Sequence, residues 1–183
     1  MDEKGITLLL VDANSAGIER TVYRMTDGQE AANITFTNVE AEAVIGSPDQ
    51  GYPLMASVVE DARVAVCANA LGALESLNAQ TLEYCKTREQ FGVAIGSFQA
   101  LQHRLVDMFG ACENVKSLLY RAVCAVQDGS EDARRSVLAL KVMVGRAGKH
   151  IGGEAIQLHG GMGMTDELSV GFFVKRLMII NTL

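Results

Sequence analysis

Tyr84-Cys-Lys-Thr-Arg88-Glu-Gln-Phe-Gly92, followed by Ile95-Gly-Ser-Phe-Gln99, is the stretch on which the reading of this chain turns. It connects two long segments of helical periodicity. An arginine, an aromatic-glycine break and a glutamine form a polar recognition point rather than a packing pattern. Arg88 offers a planar fork of donors suited to a pyrophosphate or a carboxylate. Phe91 is an apolar plate. Gly92 and Gly96 let the backbone turn and come close to a ligand. Gln99 can donate and accept at once. A purely structural reading uses the same residues: Arg88 caps the preceding helix at its C-terminus and Gly92 ends it. The local residues leave both readings open.

The flanking segments set the architecture. Leu54, Val58, Val59, Ala62, Val66, Ala70, Leu71, Leu74 and Leu77 recur at the three-and-four spacing of one helix face. This predicts a first helix opening near Pro53, a residue suited to a first turn, and running to about Thr87. A second is expected from about Ser97 to Gln127, with Leu101, Leu105, Met108, Cys112, Val115, Leu118 and Leu119 inward, stopped by Asp128-Gly129. A third runs from about Glu131 to Leu158, with Ser130 as N-cap and Glu131 and Asp132 near the positive dipole end. Its Ala147, Gly148, Gly152, Gly153 and Ala155 suggest a close helix crossing. Thr165-Asp-Glu is expected to cap a fourth helix that continues to the chain end. Four helices with short connections make an antiparallel four-helix bundle.

Upstream the pattern is β. Ile6–Val11, Thr21–Met25, Ala32–Phe36 and Val44–Gly46 read as short strands, with turn chemistry at 12–17 and at Thr26-Asp-Gly28. So few strands bury their faces poorly. They read as the second half of a sheet. The expected organisation is mainly α: a partial antiparallel β-domain over 1–52 and a four-helix bundle over 53–183.

Composition narrows the function. The 183 residues are 49% hydrophobic and 21% charged, ordinary for a globular chain. A net charge of −6, no Lys/Arg runs and no Trp argue against nucleic acid or an anionic membrane as main partner. No apolar run approaches a membrane span. The opening Met1-Asp-Glu-Lys lacks the form of a secretory leader. Cys67, Cys85, Cys112 and Cys124 lie in helical patterns without a C-x-x-C pair, as reduced thiols of a cytoplasmic protein would. His103, His150 and His159 are too dispersed for a metal site.

Tyr84–Gly92, with Phe98-Gln99-Ala-Leu-Gln-His103 and Val106-Asp-Met108, resembles the signature of the flavin-dependent acyl-CoA dehydrogenases. Gln157-Leu-His-Gly-Gly161-Met-Gly-Met-Thr165 resembles that family's Q-x-x-G-G-x-G loop. The resemblance covers nearly the whole chain but only about half of the family's length, the C-terminal half. It implies a β domain and a helical bundle with FAD between them, the ADP part of FAD reaching the bundle of a neighbouring subunit. By resemblance Arg88, Phe91 and Gln99 contact FAD, as do Gln157, Leu158, His159, Gly160 and Gly161. Glu60, Asp61 and Arg63 on the first helix match the acyl-CoA contact, Arg63 standing for a recurrent family arginine.

The implied chemistry removes a proton α to the thioester and passes a hydride from Cβ to flavin, forming a 2,3-enoyl-CoA, and it needs a carboxylate base. One family position for that base corresponds to Ala62, which cannot abstract a proton. The other is expected just beyond Leu183. Glu60 and Asp61 are offset on the helix, where one residue turns a side chain by about 100°. Their simpler role is as helix N-terminal charges. The run 164–171 and Lys175-Arg176-Leu177 look more like pimeloyl-type or steroid-degrading dehydrogenases, some of which divide the work between two subunits. The expected reading is a fragment of such an enzyme in fatty-acid-type metabolism, inactive alone. Expected partners are acyl-CoA, further copies forming a dimer or homotetramer through the bundle, or a paralogous subunit, and an electron-transfer flavoprotein. The competing readings are a non-catalytic oligomerisation and FAD-contacting module, and a related flavin monooxygenase.

Overall fold

A computed structural model describes residues 5–183; the charged opening Met1–Lys4 lies outside the described residues. The chain forms two compact units, one ending at Ala62 and one spanning Arg63–Leu183. Helix α1 (Gly51–Thr87) runs through the division.

The first unit is built from two antiparallel ribbons. β1 (Leu8–Leu10) pairs with β4 (Ala43–Ile45), and β2 (Ile18–Arg24) with β3 (Glu30–Phe36). The β2–β3 register is set by the turn expected from the sequence. The Met25 N–H donates to the Gln29 carbonyl at 2.8 Å and the Gly28 N–H to the Met25 carbonyl at 3.0 Å. That closure lets pairing extend back to Ile18, three residues before the strand start read from composition. Two-stranded ribbons cannot cover their own faces. Leu9, Val22, Tyr23, Ile34, Phe36, Val44 and Ile45 are all exposed.

In the second unit four helices close into a ring. They are the C-terminal part of α1, α2 (Gln99–Gln127), α3 (Ala133–His159) and α4 (Val170–Thr182). Each adjacent pair runs antiparallel, as their contacts show. Glu75 and Asn78 of α1 meet Lys116 and Met108 of α2. Arg104 and Arg121 on the α2 side meet Glu154 and Asp132 on the α3 side. Gly148 and Gly152 of α3 lie against Leu177 and Val174 of α4. Gln80 and Asn69 of α1 meet Ser169 and Arg176 at and in α4.

The core is the sum of the inward stripes. Leu74, Leu77, Met108, Leu140, Ile151 and Ile180 are fully buried, and such burial stabilises by about 1.5–3 kcal/mol per side chain. The small residues of α3 divide by face. Gly148 and Gly152 permit the α4 crossing, whereas Gly153 is exposed with nothing near it. Lys141 Nζ donates to the Ile180 carbonyl at 2.9 Å, placing a cation at the negative end of α4.

Two expected caps are corrected. Ser130 does not cap α3: its N–H donates to the Ala125 carbonyl and its own carbonyl accepts from Ala133, so it closes the turn after α2. The N-cap is Asp132, without a side-chain cap bond. Thr165 does not cap α4, because its hydroxyl donates to the Met162 carbonyl at 2.9 Å. That helix begins after Ser169, whose hydroxyl donates to Gln80 Oε1 instead. In both places tertiary and turn hydrogen bonds outcompete the cap that the side chain suggests.

Candidate functional site

α1 ends at Thr87 and the chain turns into a minimal hairpin, β5 (Glu89–Gln90) with β6 (Val93–Ala94). Phe91 and Gly92 form its two-residue loop, with φ of 57° and 79°. Two successive positive φ values define the turn whose twist suits a hairpin. Glycine adopts this freely; a bulky aromatic does not. Gly92 therefore shapes the hairpin and does not end the helix, which stops five residues earlier. Gly96 seats the hairpin: a Cβ there would stand 2.9 Å from the Cys85 carbonyl oxygen, so the 3-10 turn Ile95–Ser97 that follows the returning strand lies directly on the last turn of α1.

Arg88 is held at the root of this hairpin by its backbone alone. Its N–H donates to the Tyr84 carbonyl and its carbonyl accepts from Ile95, each at 2.8 Å. The guanidinium makes no hydrogen bond or ion pair among the described residues, so it is not a side-chain cap of α1. It is an unpaired, exposed cation in a chain of net charge −6.

The second motif closes α3. Gly160 follows the helix with φ 59° and ψ −138°, a conformation reserved for glycine, and Gly160–Met164 form a 3-10 segment. Gly161 has no such demand on its backbone, and a Cβ there would meet nothing within 4 Å. Among the described residues nothing requires that glycine; close approach from outside would.

The two motifs, some seventy residues apart in sequence, meet in one groove of about 410 Å³. It is lined by Tyr84, Arg88, Gln90, Ile95, the segment Gln157–Gly161 and Met162. Of the residues expected to form a site, Arg88, Gln157, Leu158, His159, Gly160 and Gly161 are thus brought together. Phe91 and Gln99 do not line the groove. Phe91 stands at the hairpin tip, 92% exposed, edge-on to Phe98 at 6.2 Å. Gln99 is the exposed first residue of α2. Glu60 and Arg63 are half-buried on α1, and Asp61 and Ala62 are exposed.

The motifs touch through rings. Tyr84 packs on His159 with centroids 4.4 Å apart and planes tilted by 32°. His159 is 4% exposed, and its Nδ1 lies 2.8 Å from the Ala155 carbonyl oxygen. Tyr84, Gln90, Ile95 and Met162 went unnoticed as lining in the sequence. Tyr84 carried a usable signal: it lies one helical turn before Arg88, on the same face.

Elsewhere the bundle is chemically quiet. Burial pushes the Cys67, Cys85 and Cys112 thiols up from 9.0, partly offset at Cys67 by Lys141 and at Cys85 by Arg104, while at Cys112 the neighbouring Glu75 and Glu113 add to the rise. Among the described residues no group of three or more His, Cys, Asp or Glu is placed to hold a metal ion, and no helix is long and apolar enough to cross a membrane.

Residues 49–182 match the family model of the acyl-CoA dehydrogenase C-terminal domain. The chain is 33% identical over 132 residues to the short-chain specific acyl-CoA dehydrogenase of Megasphaera elsdenii, covering 72% of this chain and 34% of that protein. A variant of the Tcur3481-Tcur3483 steroid ACAD superposes with a TM-score of 0.82 at 31% identity, over 96% of this chain and 46% of the other. PigA with FAD and proline gives a TM-score of 0.87 at 27% identity, over 95% and 46%. The chain therefore spans between a third and a half of the lengths of these proteins.

Proposed function

Since the chain belongs to the acyl-CoA dehydrogenase family through that family's C-terminal domain, we propose that it is the FAD-contacting helical part of such an enzyme, the groove at Arg88 taking the ADP half of the cofactor. The observation that carries this is the meeting of an unpaired guanidinium with a glycine segment whose outer side is open. A diphosphate asks for that combination: a fork of charged donors, and backbone amides reachable without side chains in the way. FAD is bound in a protein of the same fold, PigA.

Arg88 supplies the charge. Gly160, whose N–H is already donated to the Gln157 carbonyl, supplies the turn and Gly161 the close backbone approach, with the Gln157 side-chain amide beside them and Tyr84 with His159 as the floor. Phe91, projected on its hairpin, is proposed to lie against a part of the cofactor outside the groove, and Gln99 to reach it from the start of α2. Arg63, with Glu60 and Asp61, is assigned to the acyl-CoA. The whole-protein reaction proposed is oxidation of an acyl-CoA to the 2,3-enoyl-CoA, the α-proton leaving to a carboxylate. Bound FAD would supply the hydride acceptor.

A second reading is favoured by one residue. Ala62, next to Arg63, holds the family's base position and has no group that can take a proton. The chain would then act as an FAD-contacting and assembling module, in a homo-oligomer or with a paralogous subunit that carries the base.

The test is a visible absorbance spectrum of the purified protein with FAD, alongside Arg88→Ala. The native protein should show a bound-flavin spectrum, and the variant should lose about 1.5–3 kcal/mol of flavin affinity. Unchanged retention in the variant would remove Arg88 from the site. No flavin uptake by the native protein favours an oligomerisation module, one whose FAD contacts are completed only by a partner subunit.

A further inference from the structure

The charges of α3 are nearly all of one sign. Arg134, Arg135, Lys141, Arg146 and Lys149 stand on it against Glu154 alone, in a chain whose net charge is −6. Some are used inside the fold: Lys141 on the Ile180 carbonyl and Glu154 on Arg104. Arg134 also has a partner. Arg135, Arg146 and Lys149 are exposed and make no hydrogen bond or ion pair among the described residues. At about 100° per residue, Arg135, Leu138, Val142, Arg146 and Lys149 fall on one stripe of the helix. It lies opposite the buried stripe of Val137, Leu140, Val144 and Ile151. Leu138 and Val142 are themselves exposed. With Leu118 of α2 they line a groove of about 450 Å³, with Arg135 and Arg146 at its ends and an apolar middle. Among the described residues no carboxylate lines it, and none of its residues lines the groove at Arg88.

The spacing says what fits. Eleven residues separate the two arginines, about 16 Å along the helix axis. An occupant must bring an anion to each end and apolar side chains to Leu118, Leu138 and Val142 between them. A small anion satisfies one arginine and leaves the middle wet. A second copy docking through the same face sets Arg135, Arg146 and Lys149 against like charges. A nucleic acid or an anionic bilayer offers charge without a short apolar row between two anions, and the net charge of −6 repels both. An amphipathic helix meets every condition: carboxylates eleven residues apart share one face with the apolar residues between them. We infer that the outer face of α3 is a docking surface for an acidic amphipathic helix of a different protein, held by Arg135 and Arg146 over Leu118, Leu138 and Val142. The surface is separate from the flavin groove and is compatible with either reading of the function.

A fluorescent helical peptide with glutamates eleven positions apart, and leucines between them on the same face, tests this by anisotropy. Companion peptides carry lysine for glutamate, or serine for leucine. The native protein should bind the acidic peptide at least about tenfold more tightly than either companion. Its affinity should fall as salt rises from about 0.05 to about 0.5 M. Arg135→Glu combined with Arg146→Glu should weaken the acidic peptide about a hundredfold and gain the lysine peptide. Both positions are exposed, so the helical signal should not change. Equal binding of the acidic and lysine peptides by the native protein overturns the inference, and so does no binding of the acidic peptide. An acidic peptide bound unchanged by the double variant overturns it as well. Should that variant not fold, a native affinity indifferent to salt has the same force. A native dimer in sedimentation that the double variant loses would name a second copy as the occupant. Binding to phosphatidylserine vesicles that the variant loses would name a lipid surface. Either result overturns the inference.

Discussion

The two units use similar side chains to opposite ends. In the ribbons Leu9, Val22, Ile34, Phe36 and Val44 are exposed; in the bundle Leu74, Leu140, Val144 and Ile151 are out of water. Composition does not separate them. A helix gathers its apolar residues on one stripe, and four stripes enclose a volume. A two-stranded ribbon alternates its residues over two faces and encloses nothing. The bundle therefore carries the stability of the described chain, and the ribbons add pairing without a core.

The sharpest way to break this contrast is to truncate one fully buried and one exposed side chain. Leu74→Ala should cost about 2–5 kcal/mol in urea unfolding followed at the helical signal. Ile34→Ala, in the middle of β3, should change it by about 0.5 kcal/mol or less. A large loss from Ile34→Ala would mean that the ribbons are covered in solution. Next comes Gly96→Ala, where the new methyl meets the Cys85 carbonyl oxygen at 2.9 Å, backbone against backbone. Neither can yield cheaply, so a loss of about 1–3 kcal/mol is expected. The control is Gly153→Ala, with open space around it; it should stabilise by up to about 1 kcal/mol. A Gly96→Ala variant as stable as the native protein would show that the hairpin is not seated on α1.

One residue of the bundle unit behaves like the ribbons. Phe91 is almost wholly exposed and sits on left-handed backbone that a bulky side chain enters at a cost. An exposed aromatic that strains its own turn has no internal reason to be there. Phe91→Asn should relieve the strain, because Asn-Gly is the favoured sequence for this turn, and raise stability by about 1 kcal/mol. If Phe91 serves as an apolar plate for a ligand, the same change lowers flavin affinity. A gain in stability with flavin affinity unmoved would assign Phe91 elsewhere.

The helices were legible because their period lies in the sequence itself: α1, α2 and α3 fall within about two residues of the expected bounds. Their starts were less so. Ser130 and Thr165 look like caps, but their hydrogen bonds are decided by turns that only the fold creates. The site was legible as two motifs, not as one groove. Nothing in the spacing of Arg88 and Gln157 says that they meet, because that follows from the antiparallel ring that brings the ends of α1 and α3 together. Conversely Phe91 and Gln99, adjacent in motif to Arg88, point elsewhere once the hairpin turns. The ring pair of Tyr84 and His159 belongs to the part that only three dimensions show.

The last distinction between the units is silent at neutral pH. All four cysteines lie in the bundle unit and none in the first. Cys67, Cys85 and Cys112 are buried and their thiols titrate above 9.0 in the folded protein, chiefly because burial penalises the thiolate. Below that value both folded and unfolded chains keep these protons, and stability is unaffected. As pH rises past 9.0 the unfolded chain releases them first. The folded state then binds more protons, so stability falls with pH until the raised folded values are reached. Each thiol adds up to about 1.4 kcal/mol per pH unit within that window. Cys67→Ala should therefore flatten the decline between pH 9 and the upper end of the window, measured by urea unfolding at several pH values. Cys124→Ala, at an exposed position, should not. Alkylation of the native protein at Cys124 alone would agree. Ready alkylation of Cys67 at pH 8 would instead show that the bundle opens far more often than its enclosed core implies, and the contrast between the units would lose its basis.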